Sequence, residues 1–330
     1  MAGDGVPYQG LTPERVLDAV ESVGYRCDGR LLAMNSYENR VYQVGVEDRE
    51  PLVAKFYRPH RWPDEAIREE HGFTRELEQE EVPVVPPWSD VGGETLFTFE
   101  TFRFALYPKR PGRHPELEDP DTLRWLGRFL GRLHAVGGRC PFHHRPALDP
   151  GTFGEEPVGF LLENRIPPPY LEDSYRAVAQ AVLDGVRRCY ERAGPVAALR
   201  LHGDCHAGNV LWTREGPHFV DFDDSRMGPA VQDLWMLLSG DRAAMEEQMG
   251  WVLEGYTMFR DFDPRELHLV EALRALRMIH HSAWLARRWD DPAFPAAFPW
   301  FGEPRYWEQQ VLALREQAAL LDEPPLRVEG

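Results

Sequence analysis

The segment that most restricts this chain is His202-Gly203-Asp204-Cys205-His206-Ala207-Gly208-Asn209, followed after a short apolar run by Phe219-Val220-Asp221-Phe222-Asp223-Asp224. An aspartate, an asparagine five residues later and an aspartate beyond a short hairpin match what phosphoryl transfer asks of a protein. It needs a carboxylate to orient and deprotonate the attacking hydroxyl, and oxygen ligands for the magnesium that bridges nucleotide phosphates. In this reading Asp204 is the base, and Asn209 and Asp221 hold the metal. Asp221 and Asp223 are expected on one face of a strand, where like charges are unfavourable without a cation. Bound Mg2+ would relieve them; a solvated acidic turn is the plain alternative. His202, Cys205 and His206 offer a competing zinc set, but no second ligand cluster of matching spacing occurs in the chain. Ser-His-Asp hydrolysis lacks a GxSxG turn to present its nucleophile.

The surrounding pattern changes character along the chain. Thr12-Pro13 starts a helix whose apolar face is Val16, Leu17, Val20 and Val23, with Gly24 as its stop. Strand-like runs LLAM, RVYQVGV and LVAKFY follow, then a long helix from Trp62-Pro63-Asp64 to about Glu80, then TLFTF and FRFALY. After Pro108–Arg113 helical spacing dominates, over 121–136, 171–192, 230–239, 242–259, 264–289 and 303–322, with short strands at 209–212 and 218–222. The proline-rich stretches 165–169 and 292–304 read as ordered loops, and the tryptophan-rich stretches 284–289 and 300–307 as packing between C-terminal helices. The fold class expected is α+β in two lobes, 1–108 with a small antiparallel sheet and one long helix, and 109–330, larger and mainly helical.

Charge narrows the partners. Thirty-seven basic against 54 acidic residues give −17, which repels phosphate backbones and anionic lipid, so neither nucleic acid nor membrane is expected. A nucleotide with magnesium makes its own local field and is not excluded. No targeting run opens the sequence and no apolar run reaches the roughly 18–20 residues that span a bilayer. With four scattered cysteines and no CxxC pair, a reduced, cytoplasmic protein is expected; a monomer is expected as well. The basic residues are arginines except for two lysines, Lys55 and Lys109; Lys55 lies in a strand, where a compact ammonium suits a phosphate cradle better than a planar guanidinium.

The motifs NSYENRVYQ, VAKFYRP, EEHGF, RLHGDCHAGNVLW, FVDFDD, GPAVQDLWMLLSGD and DPAFPxxFPW together resemble the bacterial stress response kinase A (YihE) family. That family lies within the aminoglycoside- and choline-kinase-like branch of the protein kinase superfamily, where HGD replaces HRD. The resemblance covers about residues 30–310. It implies a bilobal kinase-like fold, ATP and Mg2+ as cofactors, and a serine/threonine protein kinase that phosphorylates itself and acts in the stress response. By the same resemblance Lys55 binds the nucleotide's phosphates and pairs with a helix glutamate, Glu70, with Glu69 the adjacent alternative. Residues 35–40 stand in for the glycine-rich phosphate loop without a glycine, so Ser36 and Asn39 would share its work with their side chains. The linker at Tyr107–Lys109 would hold the adenine, and Asp233 would tie down the backbone of the catalytic loop. The short stretch from Asp221 to Asp233, without an APE motif, implies no control by activation-loop phosphorylation. Two other readings stay open: a small-molecule kinase for an alcohol, of aminoglycoside-, choline- or homoserine-kinase type, and a catalytically silent nucleotide-binding scaffold.

Overall fold

The computed structural model describes residues 7–328; the start of the expected first lobe, residues 1–6, lies outside the described residues. In chain order the elements are α1 (Pro13–Ser22), β1 (Cys27–Ala33), β2 (Arg40–Val46), β3 (Leu52–Phe56), α2 (Asp64–Gln79), β4 (Phe97–Phe99), β5 (Phe102–Pro108), α3 (Pro120–Gly137), α4 (Glu156–Glu163), α5 (Glu172–Ala193), β6 (Leu199–Leu201), β7 (Val210–Thr213), β8 (Gly216–Phe219), β9 (Arg226–Gly228), α6 (Val231–Trp235), α7 (Arg242–Tyr256), α8 (Val270–Arg287), α9 (Ala293–Ala297) and α10 (Pro304–Leu320). They fall into two compact units. One holds the chain up to Pro115 with 143–145 and 208–223; the other holds 116–142, 146–207 and the chain from Asp224.

The first unit is built on an antiparallel sheet of order β1-β2-β3-β5-β4. Strand alternation sorts its side chains. Ala54 and Phe56 join Phe104, Leu106, Val16 and Val20 in one core, so the intervening Lys55, paired with Ala105, turns to the other face. There Ala105 packs with Ile67 and Leu96. The buried stripe of α2 is Ala66, Ile67, Glu70, His71, Phe73, Thr74 and Leu77, the three-to-four spacing of one helix face, and Glu70 sits in the middle of it. The hairpin β7–β8 belongs to this unit and is anchored by bridges Val84–Phe219 and Arg113–Trp212.

In the second unit α3 and α7 lie in near-backbone contact. A β-carbon at Gly127 would stand 2.0 Å from Val252 O and one at Gly255 2.0 Å from Arg124 O, so only glycine permits this approach. Strands β6 and β9 pair, Leu201 opposite Arg226, and bracket the segment 202–225. The core of α8 is Val270, Leu273, Leu276, Ile279 and Ala283.

Several expectations change. The helix expected over 230–239 is only α6, and the one expected over 264–289 is a 3-10 turn, Pro264–Leu269, followed by α8. Asp263 caps that turn by accepting from Arg265 N at 3.0 Å, which fixes a separate start. The stretch 292–304 contains α9 and a 3-10 turn. The second hairpin strand ends at Phe219, so Asp221 and Asp223 are not on a strand face. Asp221 takes a left-handed φ of 60° and a 3-10 turn, Phe222–Asp224, follows. Among the described residues no helix is long and apolar enough to cross a membrane, and the four cysteines are free.

Candidate active site

The expected site residues divide between the two units, and each group has its own geometry. In the sheet-bearing unit Lys55 is buried, and its Nζ lies 2.8 Å from Asp221 Oδ1 and 3.4 Å from Asp223 Oδ1. Burial opposes the ammonium charge, yet the two carboxylates outweigh it and hold the Lys55 pKa above its ordinary value. Asp223 is itself buried. Its Oδ2 accepts from Asn39 Nδ2 at 3.1 Å and pairs with Arg61, and its main-chain oxygen accepts from Arg145 Nη1 and Nη2 at 3.1 Å. The protein's own cations thus relieve the like-charge problem that the sequence raises at Asp221 and Asp223.

The expected pair of Lys55 with Glu70 is not formed. Glu70 is buried, and its Oε2 has no hydrogen-bond partner among the described residues. Burial lifts its carboxyl to about 7, against the pull of Lys55 and Arg145. Asp221 takes the ammonium because it can approach directly while half its side chain stays in solvent. Glu69 is committed elsewhere, accepting the backbone N–H groups of His143 and His144 at 2.7 and 2.8 Å.

The turn over 35–39 is fastened from below. Asn39 Oδ1 accepts from Arg58 N at 3.1 Å, and Arg58 Nε donates to Glu38 O and pairs with Glu38 Oε1. The Asn39 side chain is therefore committed to Asp223 and Arg58, which departs from the phosphate-contact role expected of it. Ser36 is half-buried on the same turn. Tyr107, expected near the adenine, belongs to a buried network: its hydroxyl lies 2.9 Å from Tyr57 OH, which lies 2.7 Å from His71 Nε2.

The β7–β8 hairpin explains how Asn209 and Asp221 come together. Val210 is opposite Phe219, and Val220 N donates to Asn209 O at 3.0 Å, so both residues emerge at the open end of one hairpin. An amide and a half-exposed carboxylate are hard oxygen donors, suited to a magnesium-type ion and unsuited to zinc. The competing zinc set of His202, Cys205 and His206 does not assemble: Cys205 and His202 are fully buried, and no group of three His, Cys, Asp or Glu side chains able to hold a metal occurs among the described residues.

In the helical unit the loop carrying Asp204 is pinned from beneath. Asp233 Oδ2 and Oδ1 accept from His202 N at 2.8 Å and Gly203 N at 2.9 Å, and Oδ2 also lies 3.0 Å from His134 Nε2. Gly203, with φ of 87°, passes so close to Asp224 that a β-carbon would lie 2.3 Å from its carbonyl oxygen. Asp204 Oδ1 accepts from Arg277 Nη1 at 2.5 Å, and Oδ2 lies 3.4 Å from His206 Nε2. Partial burial pushes this carboxyl up, but His206 and Arg277 together bring it down to about 2, so Asp204 is an anion at neutral pH.

Four functional candidates escape sequence reasoning: Arg58, Arg61, Arg145 and Arg277. Arg58 and Arg61 stand just after the Lys55 strand and Arg145 beside His144, yet in a chain that uses arginine everywhere they carry no local mark. Arg277 is 73 positions from its partner.

The model of the phosphotransferase enzyme family (APH) matches residues 31–270. Stress response kinase A of Escherichia coli (strain K12) is 44% identical over 328 residues, 99% of each chain. A serine/threonine protein kinase RdoA of Salmonella typhimurium (strain LT2) is 43% identical over the same share of each. Among solved structures, amicoumacin kinase hAmiN, in complex with AMP-PNP, Ca2+ and Ami, superposes with TM-score 0.74 at 18% identity over 95% of this chain and 94% of that one. A microcompartment-associated aminopropanol kinase gives 0.68 at 18% over 93% and 96%. These two likenesses establish the α+β kinase-like fold. Identity above two-fifths over nearly the whole of both chains, with a phosphotransferase family match across the site, places this protein in the stress response kinase A family of kinase enzymes.

Proposed function

We propose that this chain is an ATP- and Mg2+-dependent serine/threonine protein kinase of the stress response that phosphorylates itself and protein acceptors. Asp204 is the base, Asn209 and Asp221 are the metal ligands, and Lys55 is the phosphate-binding cation. The observation that carries this reading is Asp204, an ionised carboxylate held on a loop whose backbone is fixed by a fully buried aspartate. A base that must take a hydroxyl proton has to be charged and positioned before the acceptor arrives.

The sheet-bearing unit serves as the nucleotide-phosphate lobe and the helical unit as the catalytic and acceptor lobe. Bound ATP and Mg2+ would supply the electrophilic phosphorus and neutralise its developing charge. Lys55 provides the cation at the phosphate end, while Arg58 and Arg61 fasten the Asn39 turn and Asp223, with Ser36 on the same turn. If Asp221 gave up Lys55 on ligating metal, Glu70, whose charge acts on the same ammonium, would be the carboxylate left to share it. Asp204 accepts the proton of the acceptor hydroxyl as its oxygen attacks.

A small-molecule alcohol as acceptor has one observation in its favour. Between Asp224 and Gln232 the chain is folded tightly, with Ser225 fully buried and residues 226–228 in a ladder, and it offers no extended strand to a peptide. The deciding experiment incubates the protein with γ-labelled ATP and Mg2+, with and without a generic protein acceptor, beside Asp204→Asn. Label on serine or threonine, reduced by roughly a hundredfold or more in the variant, supports the protein-kinase reading. ATP consumption stimulated only by small alcohols refutes it, and ATP bound without either reaction points to a silent scaffold.

A further inference from the structure

Arg277 stands on the proposed base itself. Its Nη1 donates to Asp204 Oδ1 at 2.5 Å, and among the described residues Asp204 is its only hydrogen-bond partner. The guanidinium has five N–H donors in a planar fork, one of them spent on Asp204, and 42% of the side chain is exposed, so the side chain is open to solvent. Interior arginines here are used differently: Arg145 spends its donors on Ala66 O and Asp223 O, and Arg200 spends its own on Val136 O and Gly137 O.

The rest of the α8 face extends this position. His281 and Trp284 follow Arg277 at the i, i+4, i+7 spacing of a single helix face. Their rings stack with centroids 5.6 Å apart, and Phe298 stands edge-on to Trp284 at 5.8 Å. A strip thus runs from Asp204 through a guanidinium to an aromatic wall. An acceptor hydroxyl placed against Asp204 has two donors beside it, the Arg277 fork on Oδ1 and His206 Nε2, which lies 3.4 Å from Oδ2.

We propose that Arg277 is the acceptor-reading residue of this kinase, selecting a serine or threonine whose peptide carries a carboxylate one or two residues away. The inference rests on the protein-kinase reading above. With the hydroxyl on Asp204, an anion on the outer edge of the fork lies about 6–7 Å away, one or two residues of extended peptide at about 3.3 Å each. The protein's net charge of −17 repels an acidic peptide at long range, so its capture requires a local cation. The planar fork is suited to binding two carboxylates at once, Asp204 on one edge and the acceptor's on the other.

The test uses one serine peptide in matched forms, with Asp, Asn or Lys placed in turn one and two residues to either side of the acceptor. The enzymes are the wild type, Arg277→Ala and Arg277→Lys, with kcat and KM measured separately. Wild type is expected to favour the best-placed Asp peptide over its Asn counterpart about tenfold in kcat/KM, the usual effect of one charge-assisted hydrogen bond at a half-exposed site, mainly through KM. Arg277→Ala should bring the two peptides within about twofold, and Arg277→Lys should restore part of the preference through charge without the fork. Equal use of all peptides by wild type, or a preference that survives Arg277→Ala, overturns the inference while leaving the kinase reading intact. If wild type labels neither any peptide nor its own chain, yet consumes ATP with a small alcohol, both fall together.

Discussion

Replacing Glu70 by glutamine should change how the stability of this protein depends on pH. Glu70 is 2% exposed on the inner face of α2, and burial lifts its carboxyl from an ordinary 4.5 to about 7. Above pH 4.5 the unfolded chain gives up this proton, whereas the folded protein keeps it until about pH 7. The folded state therefore binds more protons across that window, and stability falls as pH rises through it. Integrating the linkage between pH 5 and pH 8 gives roughly 2–3 kcal/mol lost from this one group. Glutamine has the same shape and does not titrate, so the loss disappears in the variant, and any fixed cost of the new amide cancels between the two pH values. Urea denaturation of both proteins at pH 5 and pH 8, free of nucleotide and metal, measures the difference directly. Glu70→Gln should gain about 2–3 kcal/mol on wild type between the two conditions. A variant-minus-wild-type difference that stays constant, or that shrinks at pH 8, would refute the account of Glu70 as a desolvated acid that Lys55 does not pair.

The anchoring of the catalytic loop yields a second expectation. Asp233→Ala strands the His202 and Gly203 amides and His134 in a fully buried site; it should cost about 3 kcal/mol or more, seen as a melting temperature lower by roughly 6 °C. Regulation yields another. The only hydroxyl between Asp224 and Gln232 is the buried Ser225, so mass spectrometry of the autophosphorylated enzyme should find no phosphate there, and one that governed turnover would overturn the expectation.

Much of the frame is legible in the sequence because it depends on local periodicity. Thr12-Pro13 starts α1 as expected, its hydroxyl accepting from Arg15 N at 3.4 Å. LVAKF is a strand whose alternation separates Lys55 from Ala54 and Phe56, and the stripe from Ile67 to Leu77 locates Glu70 on the inner face of α2. The errors fall where neighbours along the chain do not decide. The strand expected over 218–222 stops at Phe219, where a left-handed Asp221 then turns the chain. The short helix α4 and the division of 264–289 depend on caps and packing that a periodic pattern does not reveal.

The spacing of Asp204, Asn209 and Asp221 is a property of the chain alone, since one loop and one hairpin carry the three residues. The charge of −17, the two lysines and the helical face of α2 are equally fixed by sequence. Which carboxylate takes Lys55 was decided only by the tertiary structure. Electrostatic pairing follows distance and desolvation, and the fold sets Asp221 2.8 Å from the ammonium while leaving Glu70 buried without a hydrogen bond to its Oε2. The same holds for Arg277. Nothing near it in the sequence marks it among so many arginines, and it meets Asp204 only because the fold brings α8 to the residues that directly follow β6.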